Sequence, residues 1–147
     1  MSQENVDVVR ALWAGLKQDP GEPWPPASLD DLDRRLRLDL CDERIEIRTI
    51  AAFPVADEYH GHEGVRQWAA ETWEVFSEVR HELEEIIEAN DGETVVSAQR
   101  TQGLMRHTQL PVDLRWAAVW TVRDGKALRA QGYMTKAEAL DVAGLRE

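Results

Sequence analysis

Residues Leu114–Leu145 read LRWAAVWTVRDGKALRAQGYMTKAEALDVAGL. Two apolar runs flank Asp124-Gly125, the short-range pattern of a tight β-hairpin, whose turn needs φ > 0 where glycine has no Cβ to clash. A short helical pattern follows at once, with Ala137, Leu140 and Ala143 or Gly144 on one side. A long final hairpin closed by a short helix, after earlier helices, predicts a curved antiparallel sheet covered on one face. Within strand 112–123, Leu114, Trp116, Ala118, Trp120 and Val122 point one way, and Ala117 and Val119 the other. The first row is expected to line the interior. The second is too apolar to face water comfortably and predicts a homodimer through the outer face of the sheet.

Upstream, Val6, Val9, Leu12, Trp13 and Leu16 recur at helical spacing behind Ser2 and Asn5 as candidate caps, which predicts a helix over about 4–18. Residues 19–28 hold four prolines and a glycine, with Trp24 between prolines, so no regular element is expected there. Ser28 reads as the cap of a second helix that turns Leu29, Leu32, Leu36 and Leu40 inward, with Asp30 and Asp31 in its first turn. Residues 45–49 alternate as a strand, a loop runs to Tyr59, and Val65, Trp68, Ala69, Thr72 and Phe76 form one stripe of a third helix over 63–76. Strands follow over 79–89, 94–105, 112–123 and 126–134, with a turn at Asn90-Asp91-Gly92, a bulge near Ile86-Ile87 and a last helix over 135–143. The order α-α-β-α-β-β-β-β-α lacks alternating βα units and reads as one α+β domain over 1–147.

The chain has 147 residues, 43% of them hydrophobic, enough for one compact core. Seventeen Lys and Arg stand against 28 Asp and Glu, a formal charge of −11. Nucleic acid and anionic membranes both demand a cationic footprint, so neither is expected as a partner. Cys41 is the lone cysteine, no apolar run approaches the ~20 residues of a membrane helix, and no signal peptide is apparent. A cytoplasmic protein is expected.

Several side chains have the chemistry for a site. Trp13, Trp68, Trp73, Trp116 and Trp120 are expected either to box a planar ligand or to pack as core. Arg48 and Arg100 are candidate anchors for a ligand oxygen, against ordinary surface ion pairs. Tyr59 and Gln131 complete the expected ligand-binding set. His81 alternates with Val79 and Leu83, so it is expected to face inward; with His107 and Tyr133 it is a candidate for proton transfer. His60, His62 and Glu63 are metal-ligand types, but a third ligand must come from elsewhere, the nearest in sequence being Asp57, and no metal or other cofactor is expected.

The segments 1–13 (MSQENVDVVRALW), 45–49 (IEIRT), 59–68 (YHGHEGVRQW), 119–126 (VWTVRDGK) and 133–145 (YMTKAEALDVAGL) together resemble the SnoaL-like proteins of the nuclear-transport-factor-2-like superfamily. The resemblance spans nearly the whole chain. It implies a cone-shaped α+β half-barrel: a curved mixed or antiparallel sheet wrapped by three helices from the N-terminal half plus a short C-terminal one. It implies an apolar pocket at the open end of the cone. It is unspecific for activity, since the fold hosts cyclases, isomerases, dehydratases, hydrolases and binding domains. Cyclases of this type carry an aspartate on the final strand, and the matching position is Gly132. Their histidine on the preceding strand aligns near Arg115. The proton-abstracting aspartate of ketosteroid-isomerase relatives matches about Ile47. With both acid positions vacant, proton abstraction beside a carbonyl would forgo a factor of ~10²–10⁴. The resemblance and these vacancies point to a small hydrophobic or aromatic ligand that is bound. The alternatives are a polyketide-cyclase-like or isomerase-like enzyme and a non-catalytic dimeric module.

Overall fold

The computed structural model describes residues 2–16, 28–53 and 55–145. The proline-rich stretch with Trp24 lies outside them. The elements in chain order are α1 (Ser2–Gly15), α2 (Leu29–Arg35), β1 (Cys41–Arg48), β2 (Glu58–His60), α3 (Gly61–Val75), β3 (Phe76–Glu88), β4 (Thr94–Met105), β5 (Pro111–Arg123), β6 (Lys126–Tyr133) and α4 (Lys136–Val142). A 3-10 turn at Leu38–Leu40 leads into β1. None of the described helices is long and apolar enough to cross a membrane.

The six strands form one sheet in the order β2-β1-β6-β5-β4-β3. All neighbours are antiparallel except β1 and β6, which run parallel. The sheet is mixed, unclosed and wrapped by helices, an α+β half-barrel. The β5–β6 hairpin turns at Asp124 (φ 55°) and Gly125 (φ 75°). Both central residues are left-handed, the geometry whose twist matches that of the flanking strands. The bulge falls between Leu83 and Glu85, slightly earlier than Ile86-Ile87.

Register assigns the faces. Leu114, Trp116, Ala118 and Trp120 oppose Thr101, Gln99, Ser97 and Val95 on the inner face. Val8, Val9, Leu12 and Trp13 of α1 and Val65 and Ala69 of α3 pack there with Ile45, Val95 and Val122. On the outer face Val96 and Ala117 are buried under Ala139 and Leu140 of α4, with Val119 and Tyr133 packed alongside. The apolar outer row that raised the expectation of a dimer is thus met by a helix of its own chain.

Three local expectations are corrected. Asn5 is not a cap: it lies inside α1, nine-tenths buried, and its Nδ2 donates to Gly92 O at 2.7 Å, pinning the helix to the β3–β4 turn. Ser28 does cap α2, accepting from Asp31 N at 3.1 Å, but Leu29 is 61% exposed. The helix stops at Arg35; Leu36 is buried in the core and Leu32 and Leu40 pack against it, partly buried. The expected helix through Leu40 gives way to a 3-10 turn at Leu38–Leu40, and Cys41 begins β1. Between α2 and α3, Arg66 holds Asp33 with two bonds of 2.8 Å, and that guanidinium keeps the Asp33 carboxyl below its usual range.

Candidate binding cavity

A cavity of about 110 Å³ opens between α1, α3 and the inner face of the sheet. That is on the scale of the ~150 Å³ apolar voids that admit a benzene ring. Trp13 and Leu12 reach it from α1, Trp68 and Thr72 from α3, Ile45 and Ile47 from β1, and Trp116, Ala118 and Trp120 from β5. The β5 tryptophans arrive there because alternation puts 116, 118 and 120 on one face. Trp13 is the hub of the aromatic wall. Its ring stands edge-on to Trp116 (centroids 5.9 Å, 77°) and Trp120 (6.2 Å, 83°) and tilted on His81 (5.5 Å). Phe53 adds an edge contact to Trp116 at 5.3 Å.

No Asp or Glu lines the cavity among the described residues. Gly132, where the resemblance places an acid, has no room for one. A Cβ there would lie 2.9 Å from Ile50 Cγ2 and 3.2 Å from Trp116 Cζ3. Ile47, the other acid position, presents an apolar side chain to the cavity. Arg115, the histidine position, is on the outer face with Glu84 at 3.1 Å. Cys41 also borders the cavity, and burial pushes its thiol up to about 11, so it stays protonated and unreactive at neutral pH.

His81 is the one imidazole in this lining among the described residues. The cavity touches its ring, which leaves it half-buried, but protein surrounds it on the remaining sides. Its Nδ1 lies 2.8 Å from Thr101 Oγ1, which also accepts from Trp116 Nε1 at 2.9 Å. Trp13 and Trp68 flank the ring. Burial with no nearby acid pushes its pKa from 6.5 down to about 4, so the imidazole is neutral at pH 7.

This has a measurable consequence. Between pH 6.5 and 4 the unfolded chain binds a proton at this position that the folded chain refuses. The contribution is therefore absent above pH 6.5, and stability falls as pH drops toward 4, by roughly 3 kcal/mol in total. Urea melts between pH 7.5 and 4 should show the wild type losing more stability than His81→Gln; parallel losses would contradict a buried neutral His81.

The remaining predicted site residues divide. Trp13, Trp68, Trp116, Trp120 and His81 converge on the cavity. Arg48 borders it, but its guanidinium lies against Glu58 Oε1 at 3.5 Å on the outer side. Arg100 is on the outer face, away from the cavity lining, clamped to Asp113 at 2.8 and 2.6 Å. Gln131 and Tyr133 flank Gly132 and so face outward, Gln131 beside Arg129 and Tyr133 in the cluster under α4. Trp73 stacks on Arg106, whose guanidinium carbon is 4.6 Å from the ring centroid, outside the cavity lining. Tyr59 is buried in β2, donates to Glu71 Oε1 at 2.8 Å and is pushed up to about 12, mainly by burial. His107 is exposed in the β4–β5 turn.

His62, one of the metal-ligand types, lies 2.8 Å from Cys41 O and ties α3 to β1. His60 meets Glu46 and Glu58 instead of His62 and Glu63, on an exposed strand edge where Arg48 also pairs with Glu58. Asp57 is exposed and lies outside this group. Thr101, Phe53 and Ile50 line the cavity, Ser97 bonds the Trp120 indole and Gln99 bonds Ser97, and none of the five was singled out from sequence.

Residues 29–130 match the family model of the SnoaL-like domain. No curated protein matches the chain. Among solved structures, an NTF2-like protein from Burkholderia xenovorans LB400 is similar over 97% of this chain and 97% of its own, at 22% identity and TM-score 0.69. A putative SnoaL-like polyketide cyclase from Jannaschia sp. CCS1 is similar over 99% of this chain and 94% of its own, at 17% identity and TM-score 0.68. TerC, co-crystallised with polyporic acid, is similar over 96% and 98%, at 19% identity and TM-score 0.69. At these identities the likeness concerns the fold.

Proposed function

Because this chain belongs to the SnoaL-like domain family, we propose that it uses the family's hollow to bind a small, flat, largely apolar molecule. One observation carries this reading: the cavity is walled by Trp13, Trp68, Trp116 and Trp120 and has no carboxylate among its described lining residues. Aromatic walls gain by excluding water from a flat apolar guest. TerC, similar in fold, was co-crystallised with a small molecule, polyporic acid.

Binding should quench tryptophan fluorescence, since four of the five described tryptophans line the cavity. At a ligand concentration a hundredfold above Kd, stabilisation of about 2.7 kcal/mol should raise Tm by roughly 5–10 °C. Flat fluorescence and flat melting across a library of small aromatic compounds would contradict the reading.

A second reading, proton transfer, draws support from His81, a neutral imidazole against the cavity. A pKa of about 4 makes it a weak base at pH 7, far from the match to operating pH that general-base catalysis favours. Turnover of a bound compound that disappears in His81→Gln while binding persists would move the balance to an enzyme.

A further inference from the structure

We propose that the cavity selects neutral molecules bearing a hydrogen-bond acceptor, such as a ketone or ether oxygen, and that His81 Nε2–H is the group that recognises it. This rests on the binding reading above and adds the polarity of the guest.

The inference starts from two indoles. An indole N–H can only donate. Trp116 Nε1 gives its proton to Thr101 Oγ1 at 2.9 Å. Thr101 is fully buried, so its own hydroxyl hydrogen needs an acceptor, and His81 Nδ1 stands 2.8 Å away. Nδ1 therefore accepts. A neutral imidazole carries one proton, which this arrangement puts on Nε2. Nε2 has no hydrogen-bond partner among the described residues, and His81 lines the cavity.

A second relay follows the same logic. Trp120 Nε1 donates to Ser97 Oγ at 2.9 Å, and Ser97 passes its hydroxyl proton to Gln99 Oε1 at 2.8 Å. Gln99 Nε2 is left buried without an acceptor, and so is Trp13 Nε1. Each relay begins at an indole donor and ends in an N–H with nothing to receive it. The one buried unpaired acceptor among the described side chains, Glu88 Oε2, sits at the end of β3, outside the cavity lining.

The interior thus has donors to spare, and the guest has to bring the acceptor. A pure hydrocarbon would leave the Nε2–H unpaired, and an ammonium group would set donor against donor. A carboxylate would be buried without a counter-charge, because Arg48 is engaged with Glu58 on the outer side. Thr101 acts as a positioning residue, fixing which ring nitrogen carries the proton.

Two measurements test this. Long-range ¹⁵N–¹H correlation spectra of the ligand-free protein at pH 7 should show His81 as the Nε2–H tautomer; an Nδ1–H ring overturns the proposal without any ligand or variant. Affinities, read by tryptophan fluorescence, are then compared for acetophenone and its hydrocarbon isostere α-methylstyrene, and for 1-indanone and indane. Each ketone should bind roughly three- to tenfold tighter than its partner, the worth of one neutral hydrogen bond. Thr101→Val should bring the ratio toward one and populate the other tautomer. Equal affinities within both pairs in the wild type overturn the acceptor rule while leaving the binding reading intact. Failure of all four compounds to bind removes the binding reading and this proposal with it.

Discussion

Replacing Trp13 by alanine is expected to cost about 3–5 kcal/mol of folding stability and to abolish ligand-dependent quenching. Trp13 is 8% exposed and joins α1 to the aromatic wall through His81, Trp116 and Trp120. Truncation removes those contacts and merges the vacated volume with the cavity, which neighbouring strands cannot close. The value should lie near the lower end, since Trp13 Nε1 is itself a buried donor without a partner and its removal relieves that cost. Single domains have only ~5–15 kcal/mol in hand, so the variant should unfold at a far lower urea concentration. Trp13→Phe, which keeps an aromatic ring and removes the unpaired donor, should lose much less than the alanine variant. An alanine cost below about 1 kcal/mol would mean that α1 does not close the hollow in the way described.

Restoring an acid at the family position is the second large effect. Gly132→Asp should cost about 3 kcal/mol or more, against about 1–2 kcal/mol for Gly132→Ala. The alanine methyl already meets Ile50 Cγ2 at 2.9 Å and Trp116 Cζ3 at 3.2 Å, so both side chains must give. The aspartate adds a carboxylate to a cavity with no cation free to meet it. The gap between the two variants, measured by urea unfolding at pH 7, should narrow as the pH falls and the carboxyl takes up a proton. Equal costs at pH 7 would show that the hollow still accommodates the acid.

The parts of the fold that were legible in sequence are those fixed by local chemistry. Asp124-Gly125 specified its turn because few residues tolerate left-handed backbone at two consecutive positions. Ser28 specified a helix start through one side-chain bond. Trp116, Trp120 and His81 were placed inside by simple alternation within long strands. The parallel pairing of β1 with β6 joins segments about 80 residues apart, and β2 has only three residues. Neither leaves a local pattern to read.

The site was harder for a related reason. A shift of one residue along a strand exchanges its faces. Gly132 is inside, so Gln131 and Tyr133 on either side of it are outside, and an error of one in register was enough to enlist them. Arg100 follows the same rule beside Thr101. Thr101, Gln99 and Ser97 were overlooked because three polar residues in alternation read as a solvent face. They are buried because the two tryptophans opposite or diagonal to them bring indole donors that need acceptors. Tertiary hydrogen bonding, invisible in the pattern, reversed the ordinary reading of polarity.

The most direct test is a crystal structure of the protein grown with bromobenzene, located by its anomalous signal. A bromine peak inside the hollow, in van der Waals contact with Trp68 or Trp116 and with no carboxylate alongside, is the expected result. A hollow closed by its own side chains, with no peak there, or one into which Asp or Glu side chains converge, would contradict an acid-free binding cavity.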